Sequence, residues 1–335
     1  MNKTFNIQLI ILVAFIALVA AFFSYVISDV RGGFPDYSNY LHHYYLIRHN
    51  IPAVTMEPSF LLIARFFISF SNDGFVLLLS FYFVFAFTIK FYYIYTRSSA
   101  FILSYILYFS YFFTLHELIQ IRAGLSIAFF IVFIFAISEN LKIKAVVGLL
   151  LSVFFHIQSL LILPFYLYSK FVFYNKVRLI LSVFISFFLG VLITNYLHLF
   201  VDVLSVFLPS KAANLINVYS VSSGDTNVFT HHTILFMLVI TTYCVFFKLQ
   251  ELNKTEMWLL CSISFSLCCM FLFKNFNEFA WRFFDMFSVA SIFLLPLWVN
   301  RFKQKIYPLV IIVIYCGINF YMSFKTLTPS SIVFL

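Results

Sequence analysis

The chain has 335 residues, of which 63% are hydrophobic and only 10% are charged, and its mean hydropathy is +1.02. Soluble domains carry about 25% charged residues, so this composition excludes a soluble protein and indicates an all-α, polytopic membrane helix bundle. The net charge of +9 is spread over the loops without a basic block, so we expect the lipid bilayer and no nucleic acid as a partner.

Apolar stretches in chain order predict the spans, because a helix needs about 20 apolar residues to cross a bilayer, or fewer where protein shelters it. We expect about 9–11 segments in a single integral-membrane domain, residues 1–335, with no cleavable signal. The stretches are 5–27, 74–95, 100–115, 118–138, 177–200, 232–248, 257–273, 282–300 and 306–324.

A further apolar stretch, 145–168, is interrupted by His156 and Gln158. If it crossed the membrane once, the lysines after it would face outward, against the positive-inside rule. We therefore predict an interrupted helix or re-entrant hairpin here. The N-terminus is then cytoplasmic, and the loops 28–73 and 201–231 face outward.

The first outward loop combines carboxylates with aromatic rings. Asp36, Tyr37 and Tyr40 follow a Gly-Pro turn at helical spacing, and Glu57 opens an amphipathic stretch, 57–70. Rings stack on the apolar faces of sugars and carboxylates accept hydroxyl protons, so this loop is a candidate sugar-binding surface. An interfacial tyrosine belt with solvated charges is the alternative.

Arg122 lies near the start of the apolar stretch 118–138, directly after the polar residues His116, Glu117 and Gln120. A guanidinium stays charged, so it is costly at bilayer depth unless it meets an anion or water. Arg122 is therefore a candidate anion ligand, and a side chain that reaches the headgroups is the alternative.

Two further arginines and one histidine complete the set of candidates. Arg65 lies in the amphipathic stretch, and Arg282 opens a span, where neighbouring acids could simply neutralise it. His156 alone would suit a buried structural histidine. A broken helix is tolerated at depth only inside protein or beside a cavity, which favours a functional role for it.

Other chemistries find no support in the sequence. The five cysteines fall in apolar runs, which suits core residues better than disulfides or a metal site. The chain has no DxD, HExxH, Walker or GxSxG motif, so we expect no cofactor and no metal.

Five short motifs, in this order, resemble the EpsG family of Wzy-like polysaccharide polymerases of bacterial envelopes. The chain differs from the usual family pattern at Ser59, Ala123 and Gln158. The motifs are PDYSNY (35–40), EPSFLLI (57–63), QIRAGLSIA (120–128), FHIQSLLILP (155–164) and WRFF (281–284).

The resemblance implies a glycosyltransferase that joins oligosaccharide repeats carried on undecaprenyl pyrophosphate. The reaction would take place at the outer face of the bacterial cytoplasmic membrane, with a chain-length regulator as a candidate partner. In this interpretation arginines bind the leaving diphosphate and one side chain is the general base. The diphosphate ligands would be Arg122 and Arg282, assisted by Arg65 or Arg31. The base would be His156 first, or His116, Glu117 or Asp36, and the sugar ligands would be Asp36, Tyr37, Tyr40 and Glu57.

Other functions remain open at this point. A flippase or transporter of lipid-linked oligosaccharide would also need arginines in a cavity, but it usually has internal repeats, and we find none. A ligase resembling the O-antigen ligases is the closest enzymatic alternative. An O-acyltransferase is less consistent with the sequence. A purely structural role would not explain why arginines lie in the outward segments.

Overall fold

The computed structural model describes residues 35–51, 56–71, 74–195 and 226–327. Of these, 86% are helical and none is in a strand, which confirms the all-α class. The predicted span 5–27, the candidate ligand Arg31 and most of the loop 201–231 lie outside the described residues. The cysteines are free and buried.

The described residues contain thirteen α-helices, one π-helix and two 3₁₀-helices. The π-helix is Tyr108–Ile119, and the 3₁₀-helices are Ile157–Leu161 and Leu249–Glu251. The α-helices are α1 (Pro35–Arg48), α2 (Pro58–Phe70), α3 (Gly74–Arg97), α4 (Phe101–Leu107), α5 (Ile121–Ser138), α6 (Lys142–Phe155), α7 (Ile162–Val172), α8 (Lys176–Asn195), α9 (His231–Phe246), α10 (Lys254–Leu272), α11 (Asn277–Ser288), α12 (Ser291–Arg301) and α13 (Ile306–Leu327).

Six segments in the described residues are long and apolar enough to cross a membrane: α3, α4 with the π-helix, α5, α8, α10 and α13. The pair α11 and α12 would add a seventh, although it is bent by 54°. The sequence predicted one continuous span at 282–300. Instead, Ile292 and Phe293 bond to carbonyls three residues back, at 3.1 Å each, which interrupts the α-helical ladder at the bend.

The predicted interruption of 145–168 is confirmed. Helix α6 ends at Phe155, His156 adopts an extended conformation (φ −155°, ψ 116°), and a 3₁₀-helix leads into α7. Hydrogen bonds of three serines stabilise this break. Ser126 of α5 and Ser152 of α6 each donate to the other's carbonyl, at 2.8 and 2.9 Å, and Ser159 also contacts the Ser126 hydroxyl.

The chain forms two compact units, residues 1–162 with 295–335, and residues 163–294. The single domain predicted from the sequence stays a prediction. In the first unit α5 packs against α3 and α6, and the π-helix packs against α13. Aromatic residues of α1, α2 and α3 form a core with Phe155, at the end of α6.

In the second unit the most buried span is α10, which packs against α8, α9 and α11. Gly190 allows α8 to approach α10 closely, because a Cβ there would collide with the Phe271 carbonyl. Small residues at helix crossings are typical of membrane proteins, where close packing replaces the hydrophobic effect as the main attraction between helices.

Candidate functional site

Glu57 lies between two basic side chains in the first unit. Its Oε2 accepts a hydrogen bond from Arg122 Nη1, and its Oε1 lies 2.7 Å from His156 Nδ1. The side chains of Glu57, Arg122 and His156 are 9%, 15% and 14% exposed in that order, so the group is nearly buried but keeps an open edge. We call these three residues the Glu57 cluster.

Local sequence explains why the Glu57 carboxylate is available. Glu57 precedes helix α2, and Pro58 occupies the first helical position, where a missing N–H costs nothing. An acidic residue here often caps the helix, but the Glu57 side chain makes no capping bond. Its two oxygens are used instead to join α5 and the end of α6.

Arg122 is the second residue of α5, near the positive end of the helix dipole. A cation is disfavoured there and an anion is favoured, so helix stability does not account for this arginine. Its guanidinium carbon lies over the Tyr40 ring at 5.2 Å and the Phe60 ring at 5.9 Å, distances that suit cation–π attraction. These rings hold the guanidinium beside Glu57.

His156 is presented by the break after α6. Its Nε2 lies 3.0 Å from the assigned Oε1 of Gln158. A doubly protonated ring satisfies both contacts as they stand. A neutral ring that donates from Nδ1 to Glu57 satisfies them when the Gln158 amide is turned over, so that its NH₂ group donates to Nε2.

The cluster perturbs two acidic groups outside the membrane-spanning segments. Burial by itself would raise the pKa of Glu57, but the hydrogen bond from His156 and the charge of Arg122 outweigh it and leave that pKa below its ordinary value. Burial raises the pKa of Tyr40, although the Arg122 charge opposes the shift. Glu57 is therefore ionised near neutral pH.

The structure joins four residues that the sequence placed in different roles. Arg122 was predicted as a diphosphate ligand, His156 as a base, and Glu57 and Tyr40 as sugar ligands. Asp36 and Tyr37 are half-buried on the same helix as Tyr40, and the Tyr37 ring contacts Phe75 edge-on at 5.4 Å.

Two predicted arginines make no contact that joins them to the Glu57 cluster in the described residues. Arg65 is on the exposed face of α2 with Leu62 and Phe66, whereas Phe60 and Ala64 form the buried face. Arg282 belongs to the second unit, where its guanidinium lies 3.3 Å from Glu278, one turn earlier on α11. This contact is the neutralising ion pair that the sequence analysis gave as the alternative for Arg282.

His116 and Glu117 have no exposed surface. Glu117 Oε1 accepts hydrogen bonds from Lys90 Nζ at 2.5 Å and from the Tyr108 hydroxyl at 2.8 Å. Complete burial and these two bonds do not suit Glu117 as a group that touches substrate, whereas the role of His116 as a base stays a prediction. Sequence reasoning missed Lys90, whose signal was a lone lysine inside the apolar run of α3.

Metal binding is not indicated by the residues that the structure describes, since no three His, Cys, Asp or Glu side chains there lie close enough to share an ion. The Glu57 cluster offers a guanidinium, an imidazole and a carboxylate. Together these groups can bind an anion and accept a proton.

Comparison with known proteins gives one result. The family model described as the EpsG family matches residues 7–332. No curated protein and no solved structure gave a significant match. Because the match covers nearly the whole chain, this protein belongs to the EpsG family, a family of Wzy-like polysaccharide polymerases.

Proposed function

We propose that this protein is a membrane glycosyltransferase that joins oligosaccharide repeats carried on undecaprenyl pyrophosphate, at the outer face of the bacterial cytoplasmic membrane. The observation that carries the proposal is the Glu57 cluster, in which a guanidinium and an imidazole, groups able to bind an anion and to accept a proton, contact one carboxylate. Transfer of a glycosyl group from a diphosphate needs both functions.

Arg122 stabilises the leaving group in this proposal. When the bond between the sugar anomeric carbon and the diphosphate oxygen breaks, the electron pair stays on the diphosphate. A guanidinium binds such an anion through paired, charge-assisted hydrogen bonds. Arg122 already binds a carboxylate, and diphosphate oxygens would replace Glu57 as its partner. We propose Arg282 as a second ligand and keep the assisting role of Arg65 as a prediction.

His156 accepts the proton of the attacking hydroxyl. With Nδ1–H donated to Glu57, the neutral ring has its lone pair on Nε2, where the attacking hydroxyl would replace the Gln158 amide as partner. Nε2 then takes the hydroxyl proton as the new bond from oxygen to the anomeric carbon forms. The Glu57 carboxylate then stabilises the imidazolium, as a carboxylate does in the catalytic triads of hydrolases. We propose that Asp36, Tyr37 and Tyr40 contact the sugars and that a chain-length regulator is a further partner.

The first test replaces Arg122. Arg122→Ala should abolish polymer in cells that lack the wild-type protein, because loss of a charge-stabilising donor costs about 10²–10³ in rate. Polymer is measured by gel electrophoresis of cell-surface polysaccharide, and the abundance of the membrane-inserted protein is measured in parallel.

Arg97→Ala is the matched control, because Arg97 also pairs with a glutamate, Glu139, but at a more exposed site. It should leave polymer unchanged. Near-normal polymer with Arg122→Ala at normal abundance would refute the proposal. Cells that lack the protein should accumulate single repeats at the outer face, whereas loss of a flippase would leave them at the inner face.

A further inference from the structure

A second buried polar cluster lies in the first unit, formed by Lys90, Tyr108 and Glu117. Two hydrogen bonds to Glu117, from Lys90 Nζ and from the Tyr108 hydroxyl, end on the same oxygen, Oε1. All three residues are fully buried. A buried ion pair repays its desolvation only when its geometry is good, and loss of one partner is strongly destabilising. The cluster therefore holds α3, which carries Lys90, against the π-helix, which carries Tyr108 and Glu117.

The bond between Tyr108 and Glu117 depends on the winding of the π-helix. The two residues are nine positions apart. In an α-helix, with about 3.6 residues per turn, nine positions make about two and a half turns and point to opposite faces. In a π-helix, residues four and five positions apart lie nearly above one another, so nine positions return to the same face. This bond therefore holds the segment in its wider form.

The end of the π-helix determines where α5 begins. Gln120 N–H donates to the Leu115 carbonyl at 2.8 Å, and the Gln120 carbonyl accepts from Gly124 N–H at 2.7 Å. The His116 carbonyl lies so close to Gly124 that a Cβ there would collide with it. Arg122 lies between these two contacts. A change in the winding of the π-helix would move the guanidinium.

We propose that Glu117, held by Lys90 and Tyr108, is a positioning residue that places the Arg122 guanidinium for binding a diphosphate. The inference rests on the proposed function and deepens it. Glu117 acts through the backbone of residues 116–124 and does not touch substrate.

The test measures the affinity of inorganic pyrophosphate for the full-length protein in lipid nanodiscs, by titration calorimetry. Tyr108→Phe removes one hydrogen bond to Glu117 and keeps the ion pair. It should weaken pyrophosphate binding about tenfold, the equivalent of about one hydrogen bond. The same substitution should weaken binding less in an Arg122→Lys background, because Tyr108 acts through the arginine.

Tyr243→Phe is the matched control. The Tyr243 hydroxyl donates to Glu256 Oε1 at 2.8 Å, and both residues are buried, but they belong to the second unit. Both variants should lower the thermal unfolding midpoint by similar amounts, and only Tyr108→Phe should change pyrophosphate affinity.

The outcomes separate the inference from the proposed function. If Arg122→Ala loses binding while Tyr108→Phe binds as tightly as wild type, the positioning role is overturned and the diphosphate site stands. Equal weakening by Tyr243→Phe would also overturn the positioning role. If the wild type does not bind pyrophosphate, or Arg122→Ala binds it normally, the diphosphate site itself fails, together with the inference that rests on it.

Discussion

Glu57 balances one negative charge against two basic partners. With a protonated His156, the cluster carries an excess positive charge, which suits the approach of an anion. With a neutral His156, the charges of Glu57 and Arg122 cancel, and the ring can accept a proton. The carboxylate thus links the proposed anion ligand to the proposed base, a role that differs from the sugar-binding role predicted for Glu57 from the sequence.

The depressed pKa of Glu57 predicts how this residue contributes to stability at different pH values. Because the folded-state pKa lies below the ordinary value of 4.5, the stabilisation is fully present above pH 4.5 and is lost as the pH falls through the folded pKa. Glu57→Gln should therefore be less stable than wild type near neutral pH. The difference should shrink in acid, as measured by thermal unfolding in detergent across about pH 3–7.

Glu139→Gln is a suitable control for this measurement, since Glu139 pairs with Arg97 at a more exposed position. Screening by solvent leaves such pairs little effect on stability, so its difference from wild type should be small throughout. A Glu57→Gln difference that grows as the pH falls would mean that the ionised Glu57 carboxylate does not stabilise the folded protein.

At the scale of elements, two irregular segments position residues of the Glu57 cluster. His156, the extended residue after α6, faces Glu57. The π-helix leads into the start of α5, which carries Arg122. The sequence predicted the first irregularity, because polar residues interrupt an apolar run. At the position of the π-helix, the sequence predicted ordinary α-helical spans. The choice between α and π winding depends on buried contacts such as the hydrogen bond from Tyr108 to Glu117, which the sequence does not show.

The close contact of the π-helix with α5 gives a prediction about two glycines. Gly124→Ala should destabilise the protein by about 1–3 kcal/mol, because its Cβ would collide with backbone that cannot yield easily. Gly317→Ala is the control: nothing lies within 4 Å of its added Cβ, and alanine favours helix over glycine by up to about 1 kcal/mol. Thermal unfolding midpoints measure both.

The direction of the two shifts is the discriminating observation. Gly124→Ala should unfold at a lower temperature than wild type, and Gly317→Ala at the same or a higher temperature. If Gly124→Ala is as stable as wild type, the His116 carbonyl does not pack tightly against α5, and the π-helix then does not fix the position of Arg122.

At the scale of the whole molecule, the charge distribution predicts the orientation in the membrane. Lysines concentrate in the loops 139–144, 169–176, 249–256 and 300–305, which the positive-inside rule assigns to the cytoplasm. The segments before α3 and α11 then face outward.

Single cysteines introduced in a background without the five native cysteines test this orientation. Tyr45→Cys and Glu278→Cys, both at exposed positions, should react with a membrane-impermeant maleimide in intact cells. Lys303→Cys should react only after permeabilisation. Labelling of these two positions from opposite sides would overturn the predicted orientation, and with it the proposed role of Arg282. The Glu57 cluster would remain a candidate site by itself.

The sequence by itself determined the membrane class, the all-α fold and the interruption at His156, and it singled out Arg122 as a candidate ligand. These features follow from hydropathy and from the cost of placing polar groups in an apolar stretch, and both are local properties of the chain. Only the tertiary structure decided which groups meet. Glu57 reaches Arg122 across 65 residues and His156 across 99, whereas Glu117 is withdrawn from the candidate site by its pairing with Lys90. Such pairings depend on which helices pack together, and helix packing is set by contacts between distant parts of the chain.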